Sequence, residues 1–218
     1  MVKSRIHVTL SAAISIDGKI ATHTGDSKLS SHQDAIRLHK LRSQVDAILV
    51  GKNTVERDNP LLTVRHVKGK NPIRIILDSH GKISPTSKII QTCSKIPTII
   101  GVSKCISQRN LDILKKHPLE VIIAGKNSVN IKSLLRILEK KGIRSILVEG
   151  GGTVNWQFIA NGIFDEILIT ISPFVIGGSN AVTFAEGRGF AKIARSPKLE
   201  LKSVKRLENH LLLHYIKV

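Results

Sequence analysis

The stretch Ile143-Arg-Ser-Ile-Leu-Val-Glu-Gly-Gly-Gly-Thr-Val-Asn-Trp156 decides the fold, because an apolar run meets three glycines and then a helix-like segment. Residues 145–148 are small or aliphatic, as in a strand buried on both faces. The glycines at 150–152 allow the next turn backbone conformations that are closed to other residues. A helix predicted over 153–160 follows at once, so its free N–H groups and positive dipole end face the turn. The stretch predicts the seat of a phosphorylated ligand, and a tight connection without a ligand is the alternative.

Composition limits the class of protein. The 218 residues fit one domain, and with 41% hydrophobic but only 3% aromatic residues the core is largely aliphatic, which favours an α/β or α+β body. No apolar run approaches the roughly 18 residues that span a bilayer, and the chain does not start like a signal peptide. We therefore expect a cytoplasmic protein with no membrane partner. Cys93 and Cys105 are too few and too far apart for a disulfide framework or a Cys-x-x-Cys site.

The charge raises the question of nucleic acid. Lys and Arg number 34 against 16 Asp and Glu, which gives a formal net charge of +18 and is typical of nucleic-acid-binding proteins. However, the basic residues are scattered, and the few aromatic residues do not interleave with them as stacking platforms would. The sequence argues against nucleic acid as a main partner and favours a field that gathers anionic substrates and cofactors.

Strand and helix patterns alternate along most of the chain. Strands are predicted over 6–13, 45–51, 72–78, 96–102, 119–124, 145–148 and 165–173, and helices over 32–44, 107–117, 131–141 and 153–160. This alternation predicts a mostly parallel sheet with helices on both faces. Residues 199–207 and 210–218 predict an antiparallel C-terminal hairpin. Residues 52–65, which are polar and broken by Asn59-Pro60, predict a functional loop.

Two common motifs are not met. Gly150 and Gly152 match the first two glycines of the dinucleotide fingerprint, but Asn155 stands at the third, so a standard Rossmann domain is not expected. The nine histidines are dispersed, and no zinc pattern or deaminase signature occurs. His32 and His39 lie seven apart on one predicted helix, where we expect a solvated face. No metal site is predicted.

Polar residues follow several of the predicted strands. In an open α/β sheet, ligands bind beyond the carboxyl ends of the strands. We therefore expect one site to be formed by Lys19, Thr54, Asp58, Arg65, Asp78, Ser79 and Glu149. Any one of these alone would be an ordinary surface or capping residue, so the prediction rests on the group.

Four segments resemble a known family. They are Asp17-Gly-Lys-Ile-Ala21, Val50-Gly-Lys-Asn-Thr-Val-Glu-Arg-Asp-Asn-Pro-Leu-Leu-Thr-Val64, Ile76-Leu-Asp-Ser79 and Leu147-Val-Glu-Gly-Gly-Gly-Thr153. Their order and spacing resemble the riboflavin-biosynthesis reductases, which include stand-alone archaeal enzymes and the reductase half of bacterial bifunctional deaminase/reductases. The resemblance covers nearly the whole chain. It implies a single dihydrofolate-reductase-like domain over residues 1–218, with a mixed, mostly parallel sheet, flanking helices, an antiparallel C-terminal hairpin and assembly as a homodimer.

The resemblance also implies a reaction and a cofactor. Family members use NADPH to reduce the ribosyl group of a pyrimidine ribosylamine 5′-phosphate to a ribityl chain. Because the chain contains no deaminase module, we expect the diamino-pyrimidinone as substrate, reduced before deamination. NADPH is the expected cofactor, with NADH as the alternative. Preference for NADPH would follow if its 2′-phosphate met residues at neighbouring strand ends, namely Ser79, His80, Ser103 and Lys104.

Matching positions give the expected roles. The resemblance assigns substrate contacts to Ser27, Arg42, Leu62, Arg65 and Glu149. Together with the glycine turn and the strand ends, it gives a cofactor-binding set of Thr54, Asp58, Asp78, Ser79, Gly150, Gly151, Gly152, Thr153, Val154 and Asn155. Arginines offer forked donors that suit a phosphate. The candidates for handling the proton of the opened sugar are Lys19, Asp58 and Glu149.

Two other functions stay open from the residues alone. A reductase of dihydrofolate or another pteridine could use the same fold, but it has less need for an arginine pair because its substrate lacks a sugar phosphate. A basic nucleic-acid-binding protein would differ in kind, and its binding would weaken steeply with added salt.

Overall fold

The structure, a computed structural model, describes residues 6–218. Its strands are β1 (His7–Ile14), β2 (Lys19–Ala21), β3 (Ala47–Gly51), β4 (Ile73–Leu77), β5 (Thr98–Val102), β6 (Glu120–Ile123), β7 (Ser145–Gly150), β8 (Glu166–Ile171), β9 (Val182–Thr183), β10 (Leu199–Leu207) and β11 (His210–Lys217). Its α-helices are α1 (His32–Arg42), α2 (Lys52–Asp58), α3 (Lys88–Gln91), α4 (Gln108–Lys115), α5 (Ile131–Lys140) and α6 (Gly152–Ala160). A short 3-10 helix covers Ile193–Arg195.

Nine strands form one sheet in the order β10-β11-β8-β1-β7-β3-β4-β5-β6, and β2 pairs with β9 in a separate ribbon. The strands from β8 to β6 in this order pair in parallel, whereas β11 pairs antiparallel with both β8 and β10. The mostly parallel sheet and the antiparallel C-terminal hairpin predicted from the sequence are therefore confirmed. The parallel pairing brings the carboxyl ends of seven strands to one edge of the sheet.

Both faces of the sheet are covered by apolar side chains. Successive residues of β3 alternate between two cores, with Leu49 packed in one and Ile48 and Val50 in the other. The helix α5 contributes Leu134 to the first core, and Val55 of α2 belongs to the second. This double coverage explains why the central strands are apolar throughout rather than alternating. No helix within residues 6–218 has the length and apolar character needed to cross a membrane.

The segment after β3 differs from the prediction. We expected a loop over residues 52–65, but its first half is the helix α2, which begins directly at the end of the strand. Only Val55 of this helix is buried, so the sequence carries no apolar repeat of helical period. The helix ends at Asn59, whose φ of 39° is left-handed, immediately before Pro60. The predicted break at this dipeptide is therefore confirmed, while the expectation of a loop before it was wrong.

Candidate active site

Two adjoining clefts open at the carboxyl edge of the sheet. The first has a volume of about 400 Å³, and the predicted residues that line it are Thr54, Asp78, Ser79, Gly151, Gly152, Thr153 and Val154. The second has a volume of about 240 Å³, and the predicted residues that line it are Ser27, Arg42, Thr54, Asp58, Leu62, Glu149, Gly151 and Asn155. Thr54, Arg57 and Gly151 line both clefts. The structure therefore brings most of the predicted site residues together around one shared wall.

The glycine turn is shaped for close approach. Gly150 has a φ of 83°, which only glycine adopts readily, and the N–H of Gly151 donates to Thr54 Oγ1 at 3.1 Å. A Cβ atom at Gly152 would lie 2.5 Å from the carbonyl oxygen of Thr183, so a side chain does not fit there. The helix α6 starts at Gly152 without a side-chain cap. The prediction that a helix starts directly after the glycine turn is therefore confirmed, and the binding of an anion by its first-turn N–H groups stays a prediction.

Glu149 occupies a bulge at the end of β7. Leu49 pairs with Val148 and Val50 pairs with Gly150, so Glu149 is an extra residue with no partner on β3. Bulges of this kind redirect a side chain, and here the carboxylate lines the second cleft. It accepts hydrogen bonds from Arg42, at 2.7 Å from Nε to Oε1 and 2.7 Å from NH2 to Oε2. The two side chains are only 8% and 11% exposed.

Each of the three nitrogens of the Arg42 guanidinium donates a hydrogen bond. Its third nitrogen, NH1, donates to the carbonyl oxygen of Thr63 at 3.1 Å. Burial alone disfavours the charged form, but the charge and hydrogen bonds of Glu149 outweigh it and raise the pKa of Arg42. Arg42 therefore orients Glu149 and has little left to offer a phosphate.

Arg65 differs from Arg42 in its surroundings. It is exposed, and its NH1 donates to Thr63 Oγ1 at 2.8 Å. Burial, followed by the charge of Arg42, lowers the pKa of Arg65. Arg65 does not line the second cleft, but Thr63, to which it donates, also accepts a hydrogen bond from the cleft residue Arg42. The two arginines expected to act alike are thus one buried partner of Glu149 and one accessible cation.

His39 contradicts the expectation of a solvated histidine. It is only 3% exposed, and its Nδ1 accepts the backbone N–H of Arg65 at 2.8 Å. The ring proton is therefore on Nε2, which faces NH1 of Arg42 at 3.4 Å. Burial, followed by the charges of Arg42, Arg65 and His66, lowers the pKa of His39 from 6.5 to about 4. A neutral His39 thus joins α1 to the segment that carries Arg65. The signal in the sequence for its burial was its position three residues before Arg42.

Asp58 and Ser27 meet at the second cleft, whereas Lys19 does not join them. Ser27 Oγ donates to Asp58 Oδ1 at 3.4 Å, and Arg57 Nε lies 3.4 Å from the same oxygen. Lys19 points its Nζ to the carbonyl oxygen of Ala181 at 3.5 Å and lines neither cleft. Its neighbour on β2, Ile20, lines the second cleft instead, since successive side chains of a strand point to opposite faces. Among the predicted catalytic residues, Asp58 and Glu149 line the second cleft, whereas Lys19 does not.

Hydrogen bonds fix the strand ends at the first cleft. Asp78 and Ser79 line this cleft, and Ser103 does not. The buried carboxylate of Asp78 accepts the N–H of Ile83 at 2.7 Å, and Ser79 Oγ accepts the N–H of Val129 at 3.1 Å. Ser103 is fully buried and donates to the carbonyl oxygen of Ser79 at 2.8 Å. Ser103 is therefore not in a position to meet a phosphate, contrary to the expectation. These bonds fix the loops that end β4 and β5.

Several residues of the clefts were missed by the sequence reasoning, among them the charged residues Asp34, Arg37 and Arg57. Asp34 and Arg37 stand three apart on α1, which is a helix-face spacing visible in the sequence. Arg57 lies in α2, and a prediction of that helix would have placed it one turn after Thr54. In residues 6–218 no group of three or more His, Cys, Asp or Glu residues could hold a metal ion.

Comparison with known proteins gives a consistent result. Residues 6–213 match the family described as the RibD C-terminal domain. A protein of Methanothermobacter thermautotrophicus named 2,5-diamino-6-ribosylamino-4(3H)-pyrimidinone 5′-phosphate reductase is 39% identical over 214 residues, which cover 97% of this chain and 98% of that protein.

Two solved structures show the same fold. RibD of Acinetobacter baumannii has a TM-score of 0.85 at 24% identity and covers 100% of this chain, which spans only 59% of that protein. Dihydrofolate reductase of Enterococcus faecalis, solved with NADP(H), has a TM-score of 0.55 at 14% identity, and the match covers 97% of this chain and 96% of that one. The predicted dihydrofolate-reductase-like fold is therefore confirmed.

Proposed function

Because this chain belongs to the RibD C-terminal domain family, and is thus an oxidoreductase of riboflavin biosynthesis, we propose that it reduces 2,5-diamino-6-ribosylamino-4(3H)-pyrimidinone 5′-phosphate. The ribosyl group of this compound would become a ribityl chain. A relative that matches this chain over 98% of its own length carries the name of that reductase. The observation that carries the proposal is the shared wall of the two clefts, formed by Thr54, Arg57 and Gly151. Two ligands bound against these shared residues, one in each cleft, would lie next to each other, as hydride transfer requires.

The first cleft suits a nicotinamide dinucleotide. Its pyrophosphate would meet the first-turn N–H groups of α6 at Gly152 and Thr153, and Gly152 has no side chain to keep it away from the backbone. Bound there, NADPH would supply the hydride, while the protein positions the two reactants. His80 lines this cleft and Lys104 is exposed just after the neighbouring strand β5, so these two residues are the candidates for the 2′-phosphate. Equal catalytic efficiency with NADH and NADPH would remove this part of the proposal.

The second cleft suits the sugar phosphate. Glu149 would hold or move the proton of the opened sugar, because its carboxylate lines this cleft and is oriented by Arg42. Asp58 is the second candidate for the proton, since it lines the same cleft beside Ser27. Arg65 would bind the phosphate, because it is the arginine of the pair that remains accessible. The catalytic role of Lys19 stays a prediction from its position after a predicted strand.

We further propose a homodimer in the cytoplasm. The hairpin of β10 and β11 ends the sheet and exposes apolar side chains, including Leu201 at 48% and Val204 at 53%. An open edge strand with exposed apolar residues favours pairing with a second copy. Light scattering of the purified protein tests this, and a mass of one chain of 23.9 kDa at working concentration would contradict it.

The activity is tested by following NADPH oxidation in three parallel reactions. One contains the diamino-pyrimidinone ribosylamine phosphate, the second contains dihydrofolate, and the third contains no second substrate. Turnover with the first compound alone is the expected result. Turnover with dihydrofolate alone would assign the clefts to a pteridine and overturn the proposed substrate.

A further inference from the structure

The second cleft contains an ion pair that no assigned role uses. Asp34 lies in the first turn of α1 and is 1% exposed, and its Oδ1 accepts Arg37 Nε at 2.7 Å. The same oxygen accepts the hydroxyl of Thr170 at 2.6 Å. Both members of this pair line the second cleft, together with Ser11. Arg37 and Thr170 therefore both hold Oδ1 of Asp34 in the wall of the second cleft.

The pair has hydrogen-bonding capacity left over. Arg37 NH1 is buried without a hydrogen-bond partner anywhere in residues 6–218. Its NH2 makes a single long contact, at 3.4 Å to Ser11 Oγ. Both of these hydrogen bonds to the Asp34 carboxylate are accepted by Oδ1, and neither is accepted by Oδ2. Buried donors and acceptors are normally paired, so an acceptor beside a donor in a cleft wall points to a ligand with the complementary pattern.

The charge of the pair decides which part of a ligand it meets. A carboxylate and a guanidinium together are neutral, and a phosphate placed beside them would be repelled by Asp34. A neutral edge that presents a donor next to an acceptor fits both groups. The same cleft also has apolar lining residues that suit a flat ring, namely Ala12, Ala13, Ile20, Leu38, Val50 and Leu62.

We propose that Asp34 and Arg37 form the subsite that binds the pyrimidinone ring and selects a 2-amino over a 2-oxo ring, an inference that rests on the proposed function. The exocyclic 2-amino group would donate to Asp34 Oδ2, and the ring carbonyl at C4 would accept from the guanidinium of Arg37. After deamination the ring carries a carbonyl in place of the amine. Two oxygens would then face each other at Asp34, while the contact with Arg37 would be kept. Asp34 thus determines specificity and Arg37 contributes affinity for either ring.

The experiment compares kcat/KM for the diamino compound and for its deaminated uracil counterpart. The wild type should prefer the diamino compound roughly 10- to 100-fold, as expected for a site that matches one hydrogen-bonding pattern. Asp34→Asn should abolish or reverse this ratio, because the amide can donate to the 2-oxo group. Asp112→Asn on the exposed face of α4 is the matched control and should keep the wild-type ratio.

The outcomes separate the subsite from the proposed function. No turnover of either compound by the wild type would overturn the proposed function itself. Turnover with equal kcat/KM for both, or an Asp34→Asn variant that loses activity equally on both, would overturn only the subsite. If Asp34→Asn does not fold, Arg37→Met provides a second variant. It should raise KM for both compounds while the ratio is kept, and an unchanged KM would contradict the assignment.

Discussion

Arg42 donates two hydrogen bonds of 2.7 Å to Glu149, from Nε to Oε1 and from NH2 to Oε2, across 107 positions of the sequence. This bidentate pair joins the last residue of α1 to the bulge that ends β7. Both side chains are nearly buried. The pair therefore serves the packing of the sheet edge as well as the orientation of the carboxylate in the second cleft.

The first prediction concerns Glu149→Gln. Turnover should fall by roughly two orders of magnitude or more, as for loss of a general acid or base. The free energy of unfolding should also fall, by about 3 kcal/mol, because Arg42 would stay buried without its counterion. NADPH oxidation and urea denaturation measure the two effects.

The control for this prediction removes both charges. Arg42→Met/Glu149→Leu should recover most of the stability lost in the single variant, since no unpaired charge remains buried. It should not recover activity. A double variant that is no more stable than Glu149→Gln would contradict this account of the pair.

The second prediction concerns Arg65→Ala. KM for the phosphorylated substrate should rise roughly 30-fold with kcat nearly kept, which corresponds to loss of about 2 kcal/mol of charge-assisted hydrogen bonding. Steady-state kinetics at saturating NADPH separate the two constants. Arg109→Gln on α4 is the charge-matched control and should leave KM unchanged. A loss confined to kcat would instead place Arg65 in the chemical step.

The third prediction concerns pH. The pKa of His39 is depressed from 6.5 to about 4 in the folded protein, so the neutral form is favoured by folding. The stabilisation is complete above pH 6.5 and is lost as the pH falls toward 4. His39→Asn retains an acceptor for the Arg65 N–H but does not titrate.

Urea denaturation between pH 7 and 4 tests this account. The dependence of the unfolding free energy on pH should become shallower in His39→Asn than in the wild type. His23→Asn, which replaces an exposed histidine, should keep the wild-type slope. Equal slopes in the wild type and His39→Asn would show that His39 is not the titrating group.

The fourth prediction compares two glycines. Gly152→Ala should weaken NADPH binding, because a Cβ there would meet the Thr183 carbonyl oxygen at 2.5 Å and Glu186 Cγ at 2.7 Å, and the start of α6 would shift. Gly162→Ala meets no atom within 4 Å but carries a φ of 63°, so it should lower stability without changing cofactor affinity. Fluorescence titration with NADPH measures both variants. Equal affinities would show that the start of α6 does not bind the dinucleotide.

The sequence predicted the sheet because its signals are local. Each element is indicated by residues within or next to it. The strands β3, β4 and β5 are indicated by their apolar runs, and the helices α1 and α5 by their capping residues Ser31 and Asn130. The helix α2 was missed because Val55 is its only buried residue. Most of its other residues line the clefts rather than pack in the core. The element with the weakest local signal is thus one of those that line both clefts.

The site was predicted as a set of residues but not as a network. Strand ends and family resemblance identified Glu149 and Arg42 separately, yet nothing local indicates that they pair across 107 positions. The burial of His39 likewise depends on the segment that ends in Arg65, which folds back over α1. Lys19 was grouped with the clefts because it follows a strand, and the side-chain alternation on β2 decides its direction. Such contacts are set by tertiary packing, which a linear pattern does not contain.

The wall formed by Thr54, Arg57 and Gly151 belongs to both clefts. If the dinucleotide and the sugar phosphate occupy the two clefts as proposed, both would contact these residues, and the two binding equilibria would share a coupling free energy. Linkage would make that quantity reciprocal, so the factor by which the dinucleotide changes the affinity for the sugar phosphate would equal the factor by which the sugar phosphate changes the affinity for the dinucleotide. Neither dissociation constant would then be a property of one cleft alone.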